Sequence, residues 1–150
     1  MLTYEDFTIG RVFPMGPKTV TQEEIVAFAE KFDPQPFHTD PDSDMAAGVG
    51  GLIASGWHTC GMMMRMMCDA YLLNSSSMGA PGLDEVRWLL PVRPGDVLTG
   101  TTKVVERRIS KSRPTLGLLT LEYEVKNQKG ETVMLTKGTG MMATREGISA

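Results

Sequence analysis

At 150 residues the chain is the size of one domain, 1–150, and its 41% hydrophobic residues are enough to build a real core. Its 15 basic and 18 acidic residues leave a net charge of −3, so no overall field recruits nucleic acid, and a polyanionic ligand must be met by a local basic cluster. The acidic start, Met1-Leu2-Thr3-Tyr4-Glu5-Asp6, lacks the apolar core of a signal peptide, and the longest apolar stretch falls short of the ~20 residues that span a bilayer, so a soluble, cytoplasmic protein is expected.

Residues 1–20 predict little beyond a short strand around Ile9, Val12 and Phe13, next to Pro14, Gly16 and Pro17. Thr21-Gln22-Glu23-Glu24 reads as a capping box, with Thr21 at the N-cap and Glu24 three residues on. Ile25, Phe28, Ala29 and Phe32 follow at helical spacing and predict a short amphipathic helix. That helix delivers the chain into Asp33-Pro34-Gln35-Pro36-Phe37-His38-Thr39-Asp40-Pro41. Proline fixes its own φ and biases the residue before it toward extended geometry, so this stretch is expected to be a stiff, bent loop that cannot continue a helix. It carries a carboxylate and an imidazole, Asp33 and His38, the usual equipment for moving a proton onto or off water near neutral pH.

Asp40, Asp42 and Asp44 alternate like the start of an EF-hand. However, Met45 stands where that loop needs glycine and Gly51 where it needs glutamate, so calcium is excluded and Asp42 or Ser43 is expected to start a helical turn instead. Gly48-Val49-Gly50-Gly51 lacks the Gly-Lys-Ser/Thr of a phosphate-binding loop and reads as a flexible link. Residues 53–73 are the second organising element: from Trp57 onward nearly every position is apolar, five methionines included. Arg65 and Asp69, four apart, can pair across one turn, and a helix apolar nearly all round is expected to be buried. Ser55 or Gly56 supplies its N-terminus with free N–H groups. His58, with no partner near it in sequence, is expected to pack or cap rather than catalyse. Cys60 and Cys68 read as small hydrophobes without a disulfide or metal role.

Residues 74–82 are a Ser/Gly/Pro-rich connection, and the remainder is β-rich. Strands are predicted at residues 86–90, 97–108, 119–125 and 131–143, with turns at Pro91-Val92-Arg93-Pro94-Gly95-Asp96 and Asn127-Gln128-Lys129-Gly130. Arg107, Arg108, Lys111 and Arg113 form the best basic cluster for meeting a phosphate. One long helix and about four strands imply an α+β arrangement, an antiparallel sheet wrapped around the helix.

Three motifs in this order resemble the MaoC-like dehydratases, the (R)-specific enoyl-CoA hydratase branch of the hot-dog fold. Asp33-Pro34-Gln35-Pro36-Phe37-His38 is similar to that family's Asp-x-Asn-Pro-hydrophobic-His, Gly56 to its glycine at the start of the central helix, and residues 91–96 to its Pro-Val-x-Pro-Gly-Asp turn. Phe32 stands where the family commonly has glycine, and Gln35 replaces its asparagine. The resemblance implies hydration of a trans-2-enoyl thioester to the (R)-3-hydroxyacyl product, or the reverse dehydration. Asp33 and His38 would share one water, and the Gly56 N–H, beside Ser55, would hold the thioester oxygen. No metal or redox cofactor is implied, because coenzyme A enters as part of the acyl-CoA substrate. Tyr71 and the face bearing Met62 to Met67 are expected to set acyl length. A homodimer is expected, with Asp33 and His38 from one protomer. Two rival readings are a hot-dog thioesterase, for which Asp69 is the one available helix carboxylate, and an acyl-thioester binding module without turnover.

Overall fold

The computed structural model describes residues 1–149; Ala150 lies outside them. Apolar–polar alternation puts one side of each strand against the core, and the described strands are β1 Val12–Thr19, β2 Gly82–Trp88, β3 Val97–Ile109, β4 Leu116–Lys126 and β5 Thr132–Ala143. They form one antiparallel sheet in the order β1-β3-β4-β5-β2. The helices are α1 Gln22–Phe32, α2 Pro36–Thr39, α3 Asp44–Gly48, α4 Gly56–Ala70 and α5 Arg145–Ser149. The sheet curves around α4, giving the expected α+β arrangement. Met62, Met63, Met66 and Met67 of α4 join Leu98, Val104, Leu119, Leu121, Val125 and Met134 of the sheet in one apolar core.

Only one face of α4 is covered within the chain. Trp57 is 63% exposed and Met64 49%, and Arg65 pairs with Asp69 at 2.9 Å on the same open face. The expectation of a helix buried all round is therefore corrected. The apolar excess that suggested it lies on a flank beside edge strand β2, where Leu83, Trp88, Leu89 and Leu90 are also exposed.

Two further expectations change. The strand foreseen near Val12 runs straight through Pro14, Gly16 and Pro17. This is possible because β1 is an edge strand, where a missing N–H costs no ladder bond, and its register with β3 breaks between Met15 and Lys18. The stretch after Asp33 is not a wholly irregular loop: Pro36 starts α2, because at the first helical position its absent N–H has no partner to lose. Ser43 does start a helical turn, its hydroxyl accepting from the Ala46 N–H at 3.0 Å. The cysteines are free and half-buried. Among the described residues, no helix is long and apolar enough to cross a membrane.

Candidate active site

The local sequence bends the chain back on itself between α1 and α2. Thr21 caps α1 by accepting from the Glu24 N–H at 3.2 Å, as the capping box predicts. At the other end, the Asp33 N–H still donates to Ala29 O at 2.9 Å, but Pro34 blocks another helical turn. The Gln35 N–H then donates to Asp33 O at 2.8 Å and the His38 N–H to Gln35 O at 2.9 Å, so the stretch from Asp33 to His38 folds into two tight bends. The result brings His38 Nε2 to 3.2 Å from Asp33 Oδ2.

His38 is buried and its ring is fixed from behind. Its Nδ1 lies 2.6 Å from Ile53 O, while the Ile53 N–H donates to Phe37 O at 3.0 Å. A carbonyl oxygen only accepts, so Nδ1 carries the proton and the chemistry is left to Nε2. In the neutral ring Nε2 is a lone-pair acceptor beside a carboxylate; in the imidazolium it donates to Asp33. A water donating to both atoms satisfies the neutral state.

Asp33 is held ionised. Burial pushes its pKa up, but hydrogen bonding from Gln35 and Ser55 and the charge on His38 outweigh that and leave it below the usual carboxylate range. Gln35 Nε2 donates to Asp33 Oδ1 at 2.8 Å, so the glutamine that replaces asparagine in the motif braces the acid directly. Ser55 is fully buried, and its hydroxyl, close enough to favour the Asp33 carboxylate, fails hydrogen-bond geometry and has no partner. A buried hydroxyl without a partner is costly unless something binds it.

Ser55 and Gly56 lead into α4, as expected. The first intrahelical bond is from the Thr59 N–H to Ser55 O at 3.1 Å, and the Ser55 side chain makes no cap. The N–H groups of Gly56, Trp57 and His58 accordingly lack a backbone acceptor among the described residues, the usual state of a first helical turn. Position 56 has a second, steric reason to be glycine. The Trp88 indole lies directly on its backbone, where an added Cβ would come within 2.5 Å of Cε2, and Trp88 Nε1 donates to Gly56 O at 3.0 Å.

Asp33, His38, Ser55, Gly56, Thr59 and Trp88 line a common cleft of about 370 Å³, closed on another side by Val92, whose carbonyl accepts from the Ala54 N–H at 2.8 Å. The turn at residues 91–96 is thus structural: Asp96 Oδ2 accepts from the Arg93 N–H at 2.9 Å and sets the turn that presents Val92. His58 is packed, as expected, stacked on Phe28 with ring centroids 4.9 Å apart and lying 3.8 Å from Glu24. Tyr71 is committed to the core, in a ring cluster with Phe7 and Phe13.

The basic cluster does not reach this cleft within the chain. Arg107 is taken up by the carbonyls of Tyr4, Glu5 and Phe7 and by the Tyr4 ring, 4.6 Å from its guanidinium. None of Arg107, Arg108, Lys111 and Arg113 lines the cleft. The sequence reading missed two contributors, the Ile53 carbonyl and the Trp88 ring, and named Gln35 only as the replacement for the motif's asparagine, whereas its amide braces Asp33 directly. Gln35 alone carried a local signal, its position two residues from Asp33.

A half-buried carboxylate against a buried imidazole, beside the start of a sheet-wrapped helix, is the arrangement that the resemblance to the hot-dog dehydratases and hydratases led one to expect. The family model described as MaoC like domain matches residues 6–127, so the chain belongs to the MaoC-like dehydratase family. It is similar to the solved MaoC-like dehydratase from Rhodospirillum rubrum, at 37% identity over 97% of this chain and 99% of that one, with a TM-score of 0.88. An uncharacterised Bacillus subtilis protein, YdeM, is 29% identical over 83% of this chain and 87% of its own length. The fold is shared with an R-hydratase of Pseudomonas aeruginosa, with a TM-score of 0.70, 18% identity and coverage of 95% of this chain and 86% of that one.

Proposed function

We propose that the protein hydrates trans-2-enoyl-CoA thioesters to the (R)-3-hydroxyacyl products, or runs the reverse dehydration, with Asp33 and His38 acting on one water. The observation that carries this reading is the 3.2 Å approach of His38 Nε2 to Asp33 Oδ2 inside a cleft that also holds the start of α4. Water is a poor nucleophile toward the β-carbon of an enoyl thioester and needs a base as it attacks. Donating one hydrogen to each side chain, the water presents its oxygen to C3. His38 takes the proton as the C–O bond forms, Asp33 balances the imidazolium charge, and the electron pair moves onto the thioester oxygen. The Gly56 N–H meets that developing charge, a contribution of roughly 3 kcal/mol for one well-aimed donor, and the Ser55 hydroxyl is the neighbouring donor. The enolate collapses, C2 takes a proton back from the Asp33–His38 pair on the face the water used, and the net change is addition of one water with no cofactor consumed.

Thioester hydrolysis is disfavoured by the position of Asp69. The carboxylate such a mechanism needs in the helix faces outward, paired to Arg65 at 2.9 Å on the exposed side of α4. The open edge of β2 and the apolar flank of Trp57, Met64 and Leu83 support a homodimer in which a second copy covers them. The partner would complete the pocket wall and the coenzyme contacts, since no basic cluster serves the cleft within one chain; the acid and the base would come from the same protomer. Incubation with enoyl-CoAs of graded length, followed by absorbance and chiral analysis of the product, tests the proposal. Hydration to the (R) alcohol is expected, and an (S) product or hydrolysis of the thioester would overturn it.

A further inference from the structure

Two acceptors compete for the single ring proton of neutral His38. Ile53 O lies 2.6 Å from Nδ1, and Asp33 Oδ2 lies 3.2 Å from Nε2. A charged carboxylate is the stronger acceptor, so in a slack site the proton would settle on Nε2, leaving no lone pair there for a water. That arrangement would turn the Nδ1 lone pair onto the lone pairs of Ile53 O. Repulsion excludes it only while the carbonyl is held where it is. The tautomer is therefore decided by whatever fixes the chain at Ile53.

Three attachments fix it. The Ile53 N–H donates to Phe37 O, the Ala54 N–H donates to Val92 O, and the Arg93 guanidinium grips the chain just upstream. Arg93 Nη2 donates to Val49 O at 2.5 Å, and Nη1, more loosely, to Gly51 O at 3.4 Å. Gly50 and Gly51 run at φ of +81° and +121°, and the chain curls so closely around the guanidinium that a Cβ added at Gly50 would come within 3.2 Å of Nη2. The glycine-rich stretch expected to be a flexible link is thus wrapped on an arginine. Arg93 is itself anchored, its N–H donating to Asp96 Oδ2 at 2.9 Å in the turn that also presents Val92. Of the three attachments only Arg93 is a side chain, and its planar fork suits the holding of two carbonyls at once.

We propose that Arg93 is a positioning residue for His38: by clamping Val49 O and Gly51 O it holds Ile53 O against Nδ1, which keeps the ring proton there and leaves Nε2 free to accept from water. Its consequence for turnover rests on the function proposed above; its consequence for the ring does not. Arg93 does not line the cleft and acts through Ile53, not on the reacting atoms.

Nitrogen NMR of the His38 ring, at a pH where the ring is neutral, reads the tautomer without requiring turnover. In the protein itself Nδ1 should carry the proton. In Arg93→Ala a measurable share of the proton should pass to Nε2, and kcat should fall about tenfold or more while affinity for a saturated acyl-CoA hardly changes. Free guanidinium ion should return both the tautomer and kcat toward their original values, because the clamp is open to solvent at Val49. Gly50→Ala disturbs the same clamp from the other side and should act in the same direction, whereas Gly48→Ala, whose Cβ meets nothing within 4 Å, should leave the tautomer alone. Should Arg93→Ala fail to fold, Arg93→Lys, which keeps one donor, carries the test and should give an intermediate shift. A tautomer unmoved in the Arg93 and Gly50 variants would overturn the proposal. So would a loss confined to acyl-CoA affinity, which would put Arg93 on the coenzyme, or one confined to thermal stability. Absence of enoyl-CoA hydration would remove the function proposed above and leave the tautomer shift standing; hydration with an unmoved tautomer would remove only the role of Arg93.

Discussion

The two ends of α4 are built by opposite means. At its start the polar atoms are aimed by hydrogen bonds: Ile53 O fixes the His38 tautomer, the Gln35 side-chain amide and the Asp33 turn fix the carboxylate, and Val92 O holds the 53–55 segment in place. Along its flank against β2 there are methionines, a cavity, and exposed Trp57, Met64 and Leu83, with hardly a directional bond. Proton transfer tolerates little error in position, and the chemistry proposed for Asp33 and His38 would sit where hydrogen bonds over-determine geometry. An apolar flank of this kind is held by packing alone, through side chains that can slide.

That contrast predicts a graded series of effects. The largest should come from the pair itself. His38→Ala and Asp33→Asn should each lower kcat by at least ~10², while affinity for a saturated acyl-CoA changes little, because the groups act on water rather than on the tail. Near-normal turnover in either variant would move that residue out of the chemistry.

Gly56→Ala should come next, since it strikes the point where the two regions meet. The new methyl and the Trp88 ring cannot both stay, and overpacking of this kind costs about 1–3 kcal/mol, readable in urea unfolding. Turnover should fall by up to ~10² as the first turn of α4 shifts. Combining it with Trp88→Ala should recover stability, a coupling that separates the steric reason for this glycine from its role as an N–H donor.

Gln35→Ala should have a smaller effect, legible mainly in pH. Asp33 is held below its ordinary pKa, so its carboxylate contributes stability that is present above the unfolded value and lost as pH falls through the folded one. Removing the Gln35 donor raises the folded value toward normal. The acid limb of kcat/KM and the onset of acid unfolding should then both move to higher pH, with less than a tenfold loss of rate at neutrality. An acid limb that stays put would mean that Gln35 does not set the Asp33 charge. The smallest effect belongs to Asp69→Asn, which should leave turnover unchanged; a large loss would revive the thioesterase reading, in which that carboxylate does the work.

The parts that were legible from sequence are those decided by neighbours along the chain. A capping box, prolines flanking an acid and a histidine, and alternation along β4 act over a few residues, and each appears as local geometry: the Thr21 cap, the turn that returns His38 to Asp33, the half-buried strand. Their energies are set by φ, by missing N–H groups and by side-chain direction, all of which are fixed by the order of residues. What tertiary structure alone decided depends on groups far apart in the chain. Trp88 reaches Gly56 across 32 residues, and Arg107 turns from phosphate candidate to brace for the N-terminal segment a hundred residues away. The strand through Pro14 and Pro17 is allowed because β1 lies at the sheet edge, a fact of strand order that no local signal carries. The apolar surplus of α4 was plain in the sequence, but composition could not divide it between a face packed on the sheet and a flank left open beside β2. Hydrophobicity has magnitude without direction, and only the curvature of the sheet decides which side of the helix it covers.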